Sequence, residues 1–384
     1  MLPFLIPSWY LLLAAAFLTR AAAKQPDLKI VVFRQGVAPE EYRELVEAFG
    51  GRLLKTVPLA DAAVGLFPRG KEALKLLAEH PKVEAVEDDL PAAVCEAGEP
   101  KEEIPWGVAR VEAPPVWPTA TGAGVKVGVI DTGVDLHHPD LKPNVRDGIN
   151  LLRPGRPPQD DNGHGTHVAG VLAAAKNGLG VVGVAPDAQL YVVKAFDNSG
   201  NGRLSSILEG LDWCASQGVR VVNLSFGMVQ DSLALRRAVE KAYKAGIFLV
   251  AAAGNLGLPE SVTVPGRYSQ VMAVSALTQE GSLADFSSYG PEVGVIAPGD
   301  KVLSTYPGGY RTLSGTSMAA PHVAGIAALA LELEPRLTPA SLRQLIRSHC
   351  RPVAGLSQEQ QGAGVPSALA LVRRLRSRLW AQAS

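Results

Sequence analysis

Four stretches of this chain are short, largely apolar and rich in β-branched residues: Val125–Ile130, Leu190–Lys194, Val219–Leu224 and Ile247–Ala251. Helical spacing of apolar residues runs over Leu204–Gln217, Ser232–Ala245 and Ser317–Glu334. Strands that are apolar along their length, instead of on alternate residues, are buried on both faces. Alternation with helices supplies the cover, so the pattern predicts an α/β fold with a parallel sheet and helices on both faces. In such sheets chemistry collects beyond the C-terminal strand ends. Asp131 stands just past the first of these runs and Asn255 just past the last.

A smaller unit precedes this one. Lys29–Phe33 reads as a strand, and Pro39–Phe49 as a helix with Tyr42, Leu45, Val46 and Phe49 on one face, ended by Gly50-Gly51. Arg52–Val57 and Ala62–Phe67 read as strands, Lys71–His80 as a helix stopped by Pro81, and Val83–Glu87 as a last strand. The order β-α-β-β-α-β is that of a small ferredoxin-like α+β domain. Some 70 residues form only a marginal core when alone. Residues 96–103 are polar and aperiodic, which marks a linker open to proteolysis. Residues 1–19 carry no charge, Tyr10–Leu18 is apolar, and Ala21-Ala22-Ala23 offers a small-residue cleavage site. This reads as a secretory signal peptide ending near Ala23. The alternative is an uncleaved membrane anchor, against which Pro3 and Pro7 count.

A length of 384 residues accommodates one large core and one smaller unit. Lys and Arg together balance Asp and Glu at 37 each, so nothing in the charge implies a nucleic-acid partner. Arg373, Arg374, Arg376 and Arg378 read as the solvated end of a last helix. Cys95, Cys214 and Cys350 give no disulfide framework. Cys214 and Cys350 read as buried free thiols, with their pairing as the alternative.

Three segments carry the residues of nucleophilic catalysis: Val129-Ile130-Asp131-Thr132-Gly133, His164-Gly165-Thr166-His167 and Gly315-Thr316-Ser317-Met318-Ala319. A serine hydroxyl needs a neighbouring imidazole to take its proton, and the imidazole needs a carboxylate to fix its tautomer. The two histidines are three residues apart, not the four of a helical metal pair, and have no further ligand cluster near them in sequence. A helix beginning near Ser317 would place Pro321 in a first turn, where its missing N–H costs nothing. It would also offer its N-terminus to a negative charge.

These segments resemble the subtilisin-like serine proteases. So do Asp161–Gly170, Val184-Ala185-Pro186, Asn223–Gly227, Ala251–Asn255 and Gly315–Gly325, in this order, within a resemblance running from about Ile104 to Ala370. The resemblance implies a subtilisin-like catalytic domain at 104–384, an inhibitory pro-domain at 24–95 and a maturation region at 96–103, behind the signal peptide at 1–23. It implies a catalytic set of Asp131, His164, Ser317 and Asn255, with His164 rather than His167 as general base and Asn255 as oxyanion donor. His138, His167 and His322 then become structural. Substrate would lie extended between Gly200-Asn201-Gly202 and Ser225-Phe226-Gly227, with Phe226, Ala252 and Gly254 around the side chain before the cut. Phe196, Leu204 and Ile207 would line a pocket further upstream. Calcium is implied at Ala173–Val181, held by Asp140, the Asn177 side chain and the carbonyls of Ala175, Leu179 and Val181, with Glu102 as an added ligand. The expected protein is a monomeric secreted endopeptidase acting on polypeptides, held inactive by its own pro-domain and cut near Cys95-Glu96. The alternatives are an inactive peptide-binding fold and an esterase using the same three residues.

Overall fold

The computed structural model describes residues 27–68, 71–89 and 102–383. The expected signal peptide and the junction at Cys95-Glu96 lie outside the described residues. The chain divides into two compact units, Met1–Glu96 and Ala97–Ser384.

In the first unit, strands β1 (Asp27–Phe33), β2 (Arg52–Val57), β3 (Ala62–Phe67) and β4 (Val83–Asp88) form an antiparallel sheet in the order β2-β3-β1-β4. Helices α1 (Pro39–Ala48) and α2 (Lys71–Ala78) alternate with the strands as the periodicity predicts. The apolar face of α1 brings Tyr42 and Val46 into a core with Val31, Phe33, Phe67 and Leu77. The rings of Phe33 and Tyr42 stack with centroids 4.0 Å apart.

The second unit is built on a seven-stranded sheet whose paired strands all run parallel, in the order β11-β10-β9-β8-β5-β7-β6. Its strands are β5 (Lys126–Asp131), β6 (Val145–Asn150), β7 (Gln189–Lys194), β8 (Val221–Leu224), β9 (Phe248–Ala252), β10 (Val271–Leu277) and β11 (Val293–Pro298). Side chains of a strand point alternately to opposite faces, and here they divide between two cores. Val127, Val129, Phe248 and Val250 join α3 (His164–Ala173) and α6 (Thr316–Leu333). Ile130, Val222, Leu249 and Ala251 join α4 (Leu204–Ser216) and α5 (Leu233–Lys244). Helix α6 is long and apolar enough to cross a membrane, yet 89% of it is buried inside this fold.

Three strands of the sheet were not evident from the apolar runs. Val145–Asn150 is a partly exposed edge strand with Arg146 and Asp147 in it. Val271–Leu277 and Val293–Pro298 are fully buried but follow one another without an intervening helix. A separate hairpin, β12 (Val302–Tyr306) and β13 (Gly309–Leu313), leads directly into α6. Cys214 and Cys350 are both free, as expected, but only Cys214 is fully buried and Cys350 partly so; burial pushes both thiols up to about 12.

His167 and His322 are fully buried within α3 and α6. His167 Nε2 lies 3.0 Å from the carbonyls of both Val302 and Arg311, and His322 Nδ1 lies 2.9 Å from the Met318 carbonyl. Burial lowers both from an ordinary 6.5 to about 4. The folded state therefore holds them neutral, while the unfolded chain protonates them near 6.5. Their contribution is fully present above pH 6.5 and is lost as pH falls towards 4. At pH 5 this amounts to about 2 kcal/mol per histidine. Denaturant titrations at pH 7.5 and 5.0 should show a fall of that order, and His322→Asn should flatten it; an unchanged slope in the variant would assign the acid sensitivity elsewhere.

Candidate active site

Asp131 closes β5 at the C-terminal edge of the sheet and is 3% exposed. Its Oδ1 accepts from the following Thr132 N–H at 2.8 Å and lies 2.7 Å from His164 Nδ1. His164 opens α3 behind Gly163, whose φ of 108° suits glycine. A second buried carboxylate, Asp160, holds this arrangement from behind. Its Oδ1 accepts from Thr132 Oγ1 at 2.9 Å and from the N–H groups of Asn162 and Gly163, both at 3.0 Å. Its Oδ2 accepts from the N–H of Thr166 at 2.9 Å and from its hydroxyl at 2.5 Å. Burial alone would push the His164 imidazole down. The charge and hydrogen bond of Asp131, aided by the charge of Asp160, outweigh burial and hold it above its ordinary value.

Ser317 is the second residue of α6 and is 9% exposed. Its hydroxyl donates to the Ser225 carbonyl at 3.0 Å. Among the described residues it makes no hydrogen bond to His164, so Asp131 and His164 are joined while Ser317 is engaged with the cleft. Pro321 corrects the expectation drawn from the helix start. The helix begins at Thr316, which puts Pro321 beyond the first turn, inside the helix. Its absent N–H would have served the Ser317 carbonyl. That carbonyl instead accepts from Ser225 Oγ at 2.8 Å, and Asn223 Nδ2 donates to the same hydroxyl at 2.8 Å.

Asn255 follows β9 and is exposed. Its Oδ1 accepts from Thr316 N at 2.9 Å and from Thr316 Oγ1 at 2.8 Å. The carboxamide is thereby fixed with its NH2 group free to donate. Thr316 also accepts from Gly254 N at 3.1 Å, locking the β9 loop to the start of α6.

A cavity of about 390 Å³ is lined by Asp131, His164, Gly200, Ser225, Phe226 and Gly227, among others. It brings together residues of both expected cleft edges. The rings of Phe196 and Phe226 lie 5.1 Å apart, and Gly202 bridges to Phe196. Ile207 is 2% exposed and belongs to the core against which Phe196, Leu204 and Phe226 pack. Ala252 is 3% exposed. Sequence reading missed Thr263. Its Oγ1 lies 2.2 Å from where a Cβ on Gly227 would stand, and its Cγ2 lies 3.0 Å from the same point on Gly254. It therefore fills the space between those two segments. Glu260, the carboxylate of this loop, is exposed.

The loop expected to bind calcium closes around Asp140, which is fully buried. Asp140 accepts from Asn177 Nδ2 at 3.1 Å and from Val181 N at 3.0 Å, and Tyr310 bonds to it as well. Glu102 reaches the same loop and accepts from Gly178 N at 2.7 Å. Among the described residues, the carbonyls of Ala175, Leu179 and Val181 accept no hydrogen bond. Nor does any cluster of three His, Cys, Asp or Glu side chains among those residues suit a metal. Two carboxylates with unpartnered carbonyls form a donor set that fits a hard, oxygen-seeking cation.

Comparison with known proteins places these residues in context. A family model described as the subtilase family matches residues 122–364, well over half of the chain. An alkaline protease of Alkalihalobacillus alcalophilus is 39% identical over 390 residues, covering 96% of this chain and 98% of that protein. Subtilisin Savinase of Lederbergia lenta is 46% identical over 275 residues, covering 71% of this chain and all of that protein. Subtilisin E of Bacillus subtilis strain 168 is 40% identical over 340 residues, covering 86% of this chain and 87% of that protein.

Proposed function

The chain belongs to the subtilase family, and from that premise we propose that it is a secreted serine endopeptidase, made as a self-processing zymogen, that cuts polypeptides through Ser317, His164 and Asp131. The observation that carries this reading is the 2.7 Å Asp131–His164 pair, which lines one cavity with Ser225, the residue whose carbonyl accepts from the hydroxyl of Ser317 at the N-terminus of α6. In attack, Ser317 Oγ exchanges its bond to the Ser225 carbonyl for one to His164 Nε2 and gives up its proton there. The resulting imidazolium is stabilised by Asp131. Negative charge on the attacked carbonyl oxygen is met by the Asn255 NH2 group, by the Ser317 N–H and by the N-terminus of α6. The proton then passes from His164 to the departing amine, and water repeats the cycle on the acyl-enzyme.

The extended substrate runs along Gly200–Gly202 and Ser225–Gly227, where main-chain pairing demands little of sequence. The unit at 24–95 is read as an intramolecular inhibitor that leaves after cleavage near Cys95-Glu96. Residues 1–23 direct secretion. Calcium, when bound at Asp140, Asn177, Glu102 and the carbonyls of Ala175, Leu179 and Val181, supplies charge that rigidifies this loop.

Ser317→Ala should abolish casein hydrolysis and p-nitrophenyl ester cleavage together and leave an uncut precursor. Normal maturation of that variant in a protease-deficient host would refute self-processing. Ester cleavage by the wild type without casein clearance would favour an esterase, and neither activity an inert peptide-binding fold.

Thr263 narrows the space for the side chain before the cut, so small uncharged residues should be preferred there. Thr263→Gly should raise the kcat/KM ratio of phenylalanyl over alanyl peptides by roughly tenfold or more. An unchanged ratio would remove Thr263 from the pocket.

Chelation should lower the melting temperature with little immediate loss of activity, since a ligand at a hundredfold excess over its Kd adds about 2.7 kcal/mol. Asp140→Ala should abolish the response to added calcium. Equal melting with EDTA and with calcium in the wild type would dismiss the site.

A further inference from the structure

The hairpin β12–β13 is joined by side chains to the helix that carries His164. His167 Nε2 faces a carbonyl from each of its strands. Ser304 Oγ donates to the His167 carbonyl at 2.8 Å, and Thr305 Oγ1 to the Thr166 carbonyl at 2.7 Å. At the hairpin's tip, Tyr306 reaches the residues just ahead of His164. Its hydroxyl donates to the Asn162 carbonyl at 2.8 Å and accepts from Arg311 Nη1 at 3.1 Å. The Arg311 guanidinium stands 5.0 Å from the centre of the ring. The ring itself lies against Gly163, where a Cβ would come within 2.3 Å of it.

Gly163 is the hinge from which His164 projects. Its carbonyl accepts from His167 N, and the Asn162 side chain accepts from His164 N at 3.0 Å. The peptide that sets the direction of the imidazole is therefore gripped from the inside by Asp160 and from the outside by Tyr306. Asp160 fixes its N–H, that of Gly163, and Tyr306 fixes its carbonyl, that of Asn162, and covers its face. The same hairpin runs on through Ser314 and Gly315 into Ser317. It thus links the base and the nucleophile through one rigid element.

We propose that Tyr306 is a positioning residue that, through the Asn162 carbonyl and the face of Gly163, holds His164 in line for the Ser317 hydroxyl. This rests on the reading of His164 as general base. Arg311 orients the phenol, since a hydroxyl that accepts from a cation keeps its own proton for Asn162. The contribution is angular: a proton acceptor displaced by a fraction of an ångström loses rate without losing substrate affinity.

The test is Tyr306→Phe, which keeps the ring on Gly163 and removes only the hydroxyl, with Arg311→Met as a second variant that keeps the hydroxyl and removes its donor. The rate of Ser317 labelling by a fluorophosphonate and the kinetics on a peptide p-nitroanilide are read alongside thermal melting. For Tyr306→Phe, labelling rate and kcat should both fall by about fivefold or more, with KM within about twofold. Arg311→Met should show a smaller loss of the same kind. Wild-type labelling and kcat in both variants would overturn the proposal, as would a rise in KM at constant kcat, which would assign Tyr306 to the substrate cleft. A wild-type protein that resists the fluorophosphonate altogether would instead overturn the serine–histidine reading itself.

Discussion

The carboxylate of Asp160 joins a strand end to a helix start. Burying an ion is costly unless its lone pairs are satisfied. Asp160 accepts five donors, one from Thr132 beyond β5 and four from residues 162–166 at the start of α3. Helix N-termini favour negative charge, so the position suits the carboxylate as much as the carboxylate suits the backbone. Thr132 Oγ1 in turn accepts from Gly165 N at 2.9 Å. Asp131 and His164, 33 residues apart in sequence, are held 2.7 Å apart as a consequence. Lys194 adds a further tie. Its buried ammonium donates to the Thr132 carbonyl at 2.5 Å and pairs with Asp161 at 2.6 Å.

A second joint of the same kind fixes the serine. Proline inside a helix leaves an acceptor without its N–H. Here the gap opened by Pro321 is filled by the hydroxyl of Ser225, on the segment after β8. The proline therefore makes a place for a cross-link between the start of α6 and the segment after β8. Thr316 makes the matching link to the segment after β9, through Asn255 and Gly254. Ser317 is thus held between two loops at the C-terminal ends of adjacent strands, where parallel sheets concentrate their chemistry.

Much of this was legible in sequence. The four β-branched runs became β5, β7, β8 and β9, and the three helical stretches became α4, α5 and α6, each within a residue or two. These elements are set by burial, which leaves a clear pattern in the sequence. The strands that escaped carry a mixed signal: Val145–Asn150 has charged residues at an exposed edge, and the hairpin β13 contains Gly309, Arg311 and Thr312. The expected helix start at Ser317 lies one residue from the observed start at Thr316, but Pro321 stands four residues past Ser317, so its missing N–H falls on the Ser317 carbonyl whichever residue opens the helix. Asp160, Thr263 and Tyr306 gave no signal, since an aspartate, a threonine or a tyrosine acquires its role only from neighbours far along the chain.

The two histidines of His164-Gly165-Thr166-His167 show why such neighbours matter. They lie on the same helix, three residues apart, but His167 is fully buried while the His164 side chain keeps 31% of its exposure. His167 meets two carbonyls and no carboxylate, so burial drives it to about 4. His164 meets the charges of Asp131 and Asp160, which reverse the effect of burial and raise it. A general base works best with a pKa near the operating pH. An imidazole held at about 4 is a weak base, whereas neighbouring carboxylates strengthen an imidazole as a proton acceptor. His164 Nδ1 faces Asp131, which fixes its tautomer and leaves Nε2 as the acceptor. His167 Nε2 is instead committed to the carbonyls of the hairpin. The proposed choice of His164 over His167 as base, which resemblance alone assigns in the sequence, thus gains a physical argument: one imidazole is supplied with charge and an unencumbered nitrogen, and the other serves as a neutral strut.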